Sequence, residues 1–470
     1  MDELGSIIWS LLGAGYLLLA IGVTGHILLN KRDIGSSIAW MGLAWLSPAI
    51  GSLLYISFGI NRVERRALRL RRRIPPRPRT ALEAIDNRAD YLAPLEHAVR
   101  QLTARRLELG NSIVLLRNGD EAYPKMIAAI DAAAKSVAMT SYIFRDDQAG
   151  TLFIDALARA KGRGVEVRVL IDGIGGGYWR RPAWRRLCQA GIAAACFLHS
   201  WLPWRTPFLN LRNHKKVLCV DGRIGFTGGL NIGDENVLRG KPTHPVRDLH
   251  FHLEGPIVGQ LTEAFADDWL FATGEQLSGA AWFPRLEKGG DIMARVITSG
   301  PDHDLEKVEL VILQAITVAR QSIRILTPYF LPNTRLMTAL GLAAMRGIAV
   351  EIVIPERSDQ SITDWARLAQ LRPLLEAGCK LWTSPPPFEH SKLMTVDGLW
   401  GMIGSANWDT RSLRLNFEQN VEIYHADLVP QLEAIITRKR GGPLTLEAID
   451  GRGLAKQLRD QAARLLLPYL

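Results

Sequence analysis

One short motif occurs twice in this chain of 470 residues and constrains its fold more than any other feature. Each copy reads His-x-Lys, four residues, then Asp, and six further residues lead into a turn of two small residues, any residue and Asn. The first copy contains His214, Lys216, Asp221 and the turn 228–231; the second contains His390, Lys392, Asp397 and the turn 404–407. Two copies with the same internal spacing predict a duplicated half-site.

The residue types of the motif suit a phosphate group. The apolar residues between Lys and Asp predict a short buried strand with alternating faces, so His and Lys should point to one side. An ammonium can neutralise phosphoryl oxygens, while an imidazole can attack phosphorus or move a proton. The turns, with Gly229 and Ser405, should let the backbone approach a ligand, and Asn231 and Asn407 can donate hydrogen bonds. A pair of ordinary hairpins with exposed His and Lys is the alternative, which two matched copies disfavour.

The segments before each motif also repeat. Residues 128–144 correspond to 314–330, and residues 156–171 correspond to 343–354, each pair placing a helix before an apolar strand. Each series finishes at its His-x-Lys strand. Alternation of helix and strand predicts an α/β layered lobe in each half. The join is expected near 273–291, which is rich in glycine and weakly patterned.

The motifs and their flanks, 226–235 and 411–418, resemble those of bacterial cardiolipin synthases in the phospholipase D superfamily. This resemblance implies an α/β fold of two tandem phospholipase D-like αβα lobes, related by a pseudo-twofold, with one site between them. It implies phosphatidyl transfer between two phosphatidylglycerol molecules through a phosphohistidine, with His214 as the nucleophile and no cofactor or metal. The catalytic residues it implies are His214, Lys216, Asp221, His390, Lys392 and Asp397, with Asn231, Asn407, Gly229 and Ser405 at the phosphate.

Some roles stay open at the level of sequence. Asp221 and Asp397 fall at strand ends, where a structural role is as plausible as a chemical one. Asp248 and Glu418 each begin a strand after a motif and are candidates to fix the tautomer of a catalytic histidine; surface salt bridges are the alternative. A metal site at His250 and His252 is disfavoured, since no second ligand group has suitable spacing. Four cysteines without paired spacing indicate neither a disulfide framework nor zinc.

The first 61 residues predict a transmembrane hairpin of two helices. Residues 4–30 and 34–61 contain no Asp, Glu, Lys or Arg, and each exceeds the roughly 20 residues that span a bilayer. The acidic residues Asp2 and Glu3 argue against a cleaved signal peptide. Residues 62–79 carry nine Arg and one Glu, which is +8 of the net charge of +10. Directly after a membrane span, such an arm is expected to bind anionic lipid rather than nucleic acid. By the positive-inside rule it also predicts a multi-pass protein of the inner membrane with its catalytic lobes on the cytoplasmic side.

The predicted domains are therefore a hairpin at 1–61, a basic arm and linker helix at 62–110, a first lobe at 111–275 (motif 209–236) and a second lobe at 291–470 (motif 385–412). The loop 200–209, with two Trp, a Phe and an Arg, suits an interfacial wedge or a loop packed on its own lobe. A hydrolytic phospholipase D and other phosphatidyltransferases are rival functions with the same residues. A nuclease or an inactive membrane scaffold fits less well, because a nuclease gains little from the hairpin and both motifs are intact.

Overall fold

The computed structural model describes residues 2–30, 34–59, 91–177, 179–198, 211–302 and 304–465. These residues fall into two compact units, one formed by the described residues before 60 and the other by those from 91 onward. Residues 31–33, which we expect to form a polar turn between the two apolar stretches, lie outside the described residues. The basic arm at 62–79 and the aromatic loop at 200–209 also lie outside them, so these predictions stay predictions.

The N-terminal unit is built from α1 (Asp2–Asn30), α2 (Ile34–Leu46), α3 (Pro48–Leu54) and a π-helical turn (Tyr55–Gly59). Within α1, the segment Trp9–Asn30 is long and apolar enough to cross a membrane. The second apolar stretch is not the single helix that we expected: it breaks at Ser47, because Pro48 lacks an N–H and its ring disfavours helical backbone in the residue before it. The helices pack together through a cluster containing Ile27 and Tyr55.

The second unit alternates helices and strands in both halves of the chain. The first half contains α4 (Ala93–Thr103), β1 (Glu108–Arg117), α5 (Asn118–Ala132), β2 (Ser136–Ser141), α6 (Gln148–Gly162), β3 (Glu166–Asp172), α7 (Pro182–Gln189), β4 (Ala193–Phe197), β5 (Arg212–Asn213), β6 (Val217–Val220), β7 (Ile224–Gly228), two 3-10 turns (Asp234–Asn236, Leu238–Gly240), β8 (Val246–Arg247), β9 (Leu249–Glu254) and α8 (Ile257–Thr273).

The second half contains β10 (Ile292–Ser299), α9 (Lys307–Val318), β11 (Ser322–Leu326), β12 (Phe330–Leu331), α10 (Thr334–Met345), β13 (Ala349–Pro355), α11 (Ser361–Leu368), α12 (Arg372–Glu376), β14 (Lys380–Ser384), β15 (Phe388–Glu389), β16 (Leu393–Val396), β17 (Trp400–Gly404), β18 (Trp408–Asp409), α13 (Thr410–Arg414), β19 (Asn416–Tyr424), α14 (Leu428–Arg438), β20 (Pro443–Leu444), α15 (Leu446–Asp450) and α16 (Leu454–Arg464).

The pseudo-twofold is visible in the order of the strands. Within the described residues, one sheet runs through both halves, joined where β1 pairs antiparallel with β10. Outward from that join the order is β1-β9-β7-β6-β2-β3-β4 on one side and β10-β19-β17-β16-β11-β13-β14 on the other, where β20 adds an edge strand. Each half has its own hydrophobic core, one around Phe153 and Phe226 and the other around Leu340 and Trp400. The two tandem α/β lobes of the predicted fold class are confirmed.

The motif strands are buried, as predicted, but they begin later than expected. β6 and β16 lie inside the sheet, and every residue of both strands is buried. His214 and Lys216 precede β6 rather than lying on it. The backbone N–H of His214 instead donates to the carbonyl of Phe417 on β19, at 2.9 Å. The first motif histidine is therefore anchored by a strand of the other half.

Candidate active site

Each motif histidine is held by a carboxylate from the opposite half of the chain. His214 Nδ1 lies 3.0 Å from a carboxylate oxygen of Glu418, at the start of β19, and His390 Nδ1 lies 2.7 Å from Asp248, which directly precedes β9. A carboxylate on Nδ1 fixes the tautomer that leaves the Nε2 lone pair available. The two dyads are crossed, so neither half contains a complete set.

The motif lysines lie next to the histidines and are almost fully buried. Lys216 Nζ donates to the carbonyl of His214 at 2.6 Å, and Lys392 Nζ donates to the carbonyl of His390. Burial lowers the pKa of Lys216 to about 7 and that of Lys392 to about 8, although nearby carboxylates oppose the shift. Two cations confined at one place create a site for an anion, and an anion bound there would raise both pKa values again.

Burial and the lysine charges also set the protonation of the dyads. Burial, together with Lys216 and Lys392, holds the pKa of His214 well below its ordinary value, and burial raises the pKa of Glu418 to about 7. At the second dyad, burial lowers the pKa of His390 while Asp248 opposes the shift. Burial alone would raise the pKa of Asp248, but Lys392 and His390 hold it below its usual value, so Asp248 is ionised. The dyads are alike in geometry, but the pKa of the carboxylate is raised in the first and lowered in the second.

Both histidines open onto one cleft of about 450 Å³. Asn231 and Asn407 line it, as the sequence predicted for phosphate-binding residues. Gly229 and Ser405 are not among the lining residues; they lie behind the dyads, where Ser405 Oγ donates to Glu418 at 2.5 Å and a Cβ on Gly229 would come within 2.2 Å of Asp248.

Several lining residues were not predicted from the motifs. Tyr142 meets the His214 ring edge-on at 4.9 Å between centroids, and Tyr329 meets the His390 ring at 6.3 Å. These tyrosines occupy equivalent positions in the repeat, after β2 and after β11, so aligning the two halves with each other could have identified them. Other polar residues lining the cleft are Arg145, Arg212, Glu235, Asn236, His244, Asp359, Gln360, Thr363, Asp409, Arg411, Ser412 and Asn416.

Comparison with known proteins identifies the family. Residues 126–269 and 312–440 match the family model described as cardiolipin synthase, PLD-like domain. The chain is 32% identical to cardiolipin synthase 1 of Bacillus cereus, over 98% of this chain and 94% of that protein. It is 31% identical to the major cardiolipin synthase of Bacillus subtilis, over the full length of both.

The chain belongs to the cardiolipin synthase family of phospholipase D-like proteins. Its fold is also similar to the crystal structure of phosphatidylserine synthase from Haemophilus influenzae, with a TM-score of 0.60, 16% identity, and coverage of 80% of this chain and 100% of the other. At that identity the likeness concerns the fold alone.

The motif acids of this cardiolipin synthase family member lie away from the cleft. The Asp221 carboxylate accepts hydrogen bonds from the backbone N–H groups of Ala134, Lys135 and Ser136, at 2.7–2.9 Å. Asp397 does the same with the N–H groups of residues 320–322, at 2.7–2.8 Å. Each carboxylate therefore stabilises the turn that leads from a helix into the next strand. That strand is β2 for Asp221 and β11 for Asp397.

The histidines considered as metal ligands have other surroundings. His250 is buried in β9 next to Gly228, and burial lowers its pKa to about 4. His252 packs against the Phe226 ring at 4.8 Å and lies 3.5 Å from Glu254. Among the described residues, no group of three or more His, Cys, Asp or Glu side chains is arranged to hold a metal ion.

Proposed function

We propose that this protein transfers a phosphatidyl group from one phosphatidylglycerol to another, giving cardiolipin and glycerol through a phosphohistidine. Membership of the cardiolipin synthase family makes it a phosphatidyltransferase. The observation that carries the proposal is the pair of crossed histidine dyads at one cleft, with a lysine beside each histidine. Double displacement at phosphorus requires both a nucleophile and a proton carrier, and the two dyads supply them.

In the first step, His214 Nε2 attacks the donor phosphorus, and the bond from phosphorus to the glycerol oxygen breaks. His390 gives its proton to that oxygen, which leaves as free glycerol. Burial lowers the pKa of both histidines, more strongly at His214, and at His390 the charge of Asp248 opposes the shift; this difference favours His214 as nucleophile and His390 as acid. Lys216 and Lys392 stabilise the charge on the phosphoryl oxygens as it builds up.

In the second step, His390 removes the proton from a hydroxyl of the acceptor phosphatidylglycerol. The hydroxyl oxygen attacks phosphorus, the bond to His214 Nε2 breaks, and the nucleophile is regenerated. Asn231 and Asn407, which line the cleft, would donate hydrogen bonds to the phosphoryl oxygens throughout. Asp221 and Asp397 have no part in these steps, because their carboxylates are engaged by backbone amides.

The test uses purified full-length protein in vesicles of phosphatidylglycerol labelled in its glycerol head group. We expect labelled glycerol and cardiolipin in equal amounts without any cytidine nucleotide. His390→Ala protein in the same vesicles is the control for contaminating activity. Formation of phosphatidic acid alone would mean that water is the acceptor and that the protein is a hydrolase.

We further propose that the chain is a multi-pass protein of the bacterial inner membrane with its catalytic halves on the cytoplasmic side. The apolar helix Trp9–Asn30 supports membrane insertion. Nine Arg residues within 62–79 support a cytoplasmic position for the arm, according to the positive-inside rule, and favour contact with anionic lipid. Cysteines introduced at 62–79 should react with thiol reagents in inverted vesicles and be protected in intact cells; the reverse pattern would contradict this topology.

A further inference from the structure

The helix α16 turns its apolar side outward. On this helix (Leu454–Arg464), Leu454 and Leu458 are 71% and 62% exposed, and Leu465, which directly follows it, is 79% exposed. At about 3.6 residues per turn, these three side chains fall within about 40° of one another around the helix axis. A surface helix usually has the reverse arrangement, with its apolar side facing the core. We call the three residues the leucine stripe.

Other residues attach α16 to the catalytic unit. Ala463 packs with Ala366 of α11 in a small apolar cluster. Asp460 is buried, and its carboxylate accepts hydrogen bonds from Arg459 at 2.8 Å and from Arg452. Around the helix axis, Asp460 and Ala463 lie on the side opposite to the leucine stripe. The helix is therefore fixed by one side and presents its leucines on the other.

α16 lies next to a helix that borders the active site. It packs along α11, and α11 contributes Thr363 to the lining of the cleft. The cluster of Ala463 and Ala366 also contains Leu331, which lines the cleft. The lipid substrates of a phosphatidyltransferase stay in a membrane because their acyl chains avoid water. A surface one helix away from the cleft is well placed to hold the cleft at such a membrane.

The charge of this region matches an anionic membrane. Residues 452–465 contain four basic residues and one acidic residue, a net charge of +3. In helical projection, Arg459 and Arg464 lie on either side of the leucine stripe. Arginine side chains are long enough to keep their guanidinium groups among lipid phosphates while neighbouring leucines enter the apolar layer. An apolar stripe with basic flanks is typical of helices that lie in the interface of anionic membranes.

We propose that the leucine stripe docks on the surface of an anionic lipid bilayer and holds the cleft at that surface. The proposal rests on the proposed membrane location and does not depend on which acceptor the reaction uses. A groove of about 230 Å³, lined by Leu368 and Ile449 as well as by Leu454 and Leu458, extends the apolar surface beside the stripe. Burial of these side chains among acyl chains removes their apolar area from water, which stabilises the docked state.

The first test measures insertion at Leu458 in full-length His390→Ala protein, which should not consume the lipid. Cys188 and Cys196, the two native cysteines that are not buried, are changed to Ser. Leu458→Cys is then labelled with an environment-sensitive dye. In vesicles that contain phosphatidylglycerol, we expect the emission to shift to the blue and brominated acyl chains to quench it. High salt should weaken both effects, because it screens the basic flanks of the stripe.

Leu109→Cys is the matched control. Leu109 is also exposed, near the start of β1, whereas the other end of that strand pairs with β9 beside Asp248. Its dye should show neither the shift nor the quenching. No response of Leu458→Cys in protein that floats with the vesicles would overturn the docking surface and leave the membrane location intact. Protein that does not float would reject both.

Two further outcomes of the dye experiment would also overturn the proposal. Equal responses at Leu458→Cys and Leu109→Cys would mean that the whole unit, rather than the leucine stripe, senses the lipid. Disulfide crosslinking of Leu458→Cys between two copies, without quenching by brominated lipid, would make the stripe a contact between copies of this chain.

The second test compares two forms of one substrate. In Leu454→Gln/Leu458→Gln, turnover on phosphatidylglycerol vesicles should fall several-fold, because the cleft is no longer held at the bilayer. Turnover on short-chain phosphatidylglycerol dissolved as monomers should stay within about twofold of the wild type, as expected for exposed positions. Leu109→Gln should change neither rate. Equal losses on both forms would give α16 a purely structural role and overturn the proposal.

Failure of the proposed transfer reaction has a different signature. The wild type would then give phosphatidic acid instead of cardiolipin from both forms of the substrate. The dye measurement needs no turnover, so it would still report whether the leucine stripe enters the bilayer.

Discussion

At the scale of single residues, the two dyads reach similar geometry with different side chains. The longer side chain of Glu418 accepts a hydrogen bond from the hydroxyl of Ser405. The shorter side chain of Asp248 packs directly over Gly229, where no side chain would fit. The pKa of Asp248 lies below its usual value and that of Glu418 is about 7. The two halves therefore share the shape of the dyad and differ in the pKa of its carboxylate, which suits the proposed double displacement, in which the two histidines have different tasks.

The histidines should behave as one catalytic unit. We expect His214→Ala and His390→Ala each to lower the rate by several orders of magnitude, and the double variant to be little worse than either, because groups that act together are not additive. Rates are measured as cardiolipin formed per folded molecule. If His214 is the nucleophile, any phosphoenzyme that can be trapped should be found in His390→Ala and not in His214→Ala. Substantial turnover by either single variant would contradict a shared site.

Lys216 should reduce stability while it supports catalysis. Its pKa is about 7 in the folded protein and about 10.4 in an unfolded chain, so folding below pH 7 buries a charge. Near pH 6 its partner Glu418, with a pKa of about 7, is mostly protonated and compensates little. The resulting loss in the free energy of unfolding has its full value below pH 7, and it disappears as the pH rises from about 7 to about 10.

Lys216→Met should therefore unfold at a higher temperature than the wild type at pH 6, by a few degrees, with the gain shrinking towards pH 10. Its activity should fall by a factor of about 10² or more, because charge on the phosphoryl oxygens loses its partner. Thermal unfolding at both pH values, on protein in the same detergent, measures the first effect. A gain that is equal or larger at pH 10 would disprove the electrostatic origin.

At the scale of elements, the motif acids fasten corresponding turns. Asp221 and Asp397 both have left-handed backbone, with φ of 51° and 54°, and both accept from three consecutive amides. Left-handed backbone suits Asp and Asn better than most residues. The conformation and the amides together place each carboxylate between the end of a motif strand and the start of the neighbouring strand.

Asp221→Asn and Asp397→Asn should thus lower stability more than activity. Asn tolerates the same backbone but can accept at only one of the two oxygens, so we expect a loss of about 1–3 kcal/mol in the free energy of unfolding. Activity per folded molecule should fall far less than in the histidine variants. Denaturant unfolding and turnover measured on the same preparations check this; a loss of activity comparable with His214→Ala would instead give the acids a chemical role.

The motifs and the repeat predicted the elements well, and the details that failed have physical causes. Residues 156–171 and 343–354 each predicted a helix that ends near a glycine and is followed by an apolar strand. The structure has these elements as α6–β3 and α10–β13. His214 and Lys216 were expected on the motif strand but precede β6, because the backbone of His214 is bound by β19 of the other half. The crossed pairing of Glu418 with His214 could not be read from spacing, because it depends on how the halves meet.

At the scale of the whole molecule, the two halves share one sheet rather than touching at a surface. The expected join at 273–291 is a connection along the chain, whereas the physical join is the pairing of β1 with β10. Because the dyads are crossed, each half of the chain supplies the carboxylate that holds the histidine of the other half. Each half also covers the edge strand of the other half's sheet. We retain 111–275 and 291–470 as proposed boundaries of sequence repeats.

The last prediction concerns how the chain favours lipid over water as acceptor. An Arg-rich arm gathers anionic lipid at about 1 kcal/mol per basic residue near the surface. Both donor and acceptor phosphatidylglycerol would then be concentrated where the phosphohistidine forms. A lipid hydroxyl competes with water through local concentration and orientation rather than through greater nucleophilicity.

The predicted hairpin at 1–61 would keep the chain at the membrane, where this lipid is gathered. Deleting residues 1–61 should therefore raise the ratio of phosphatidic acid to cardiolipin several-fold, and by more than it lowers total cleavage of the donor. A full-length protein with the Arg residues of 62–79 changed to Gln is the companion variant, since it keeps the anchor and loses the charge. We expect it to shift the ratio in the same direction, and less so at high salt, where screening already weakens the arm in the wild type. The ratio is read from products of labelled phosphatidylglycerol. If truncated and full-length proteins give the same ratio, exclusion of water must come from the cleft itself.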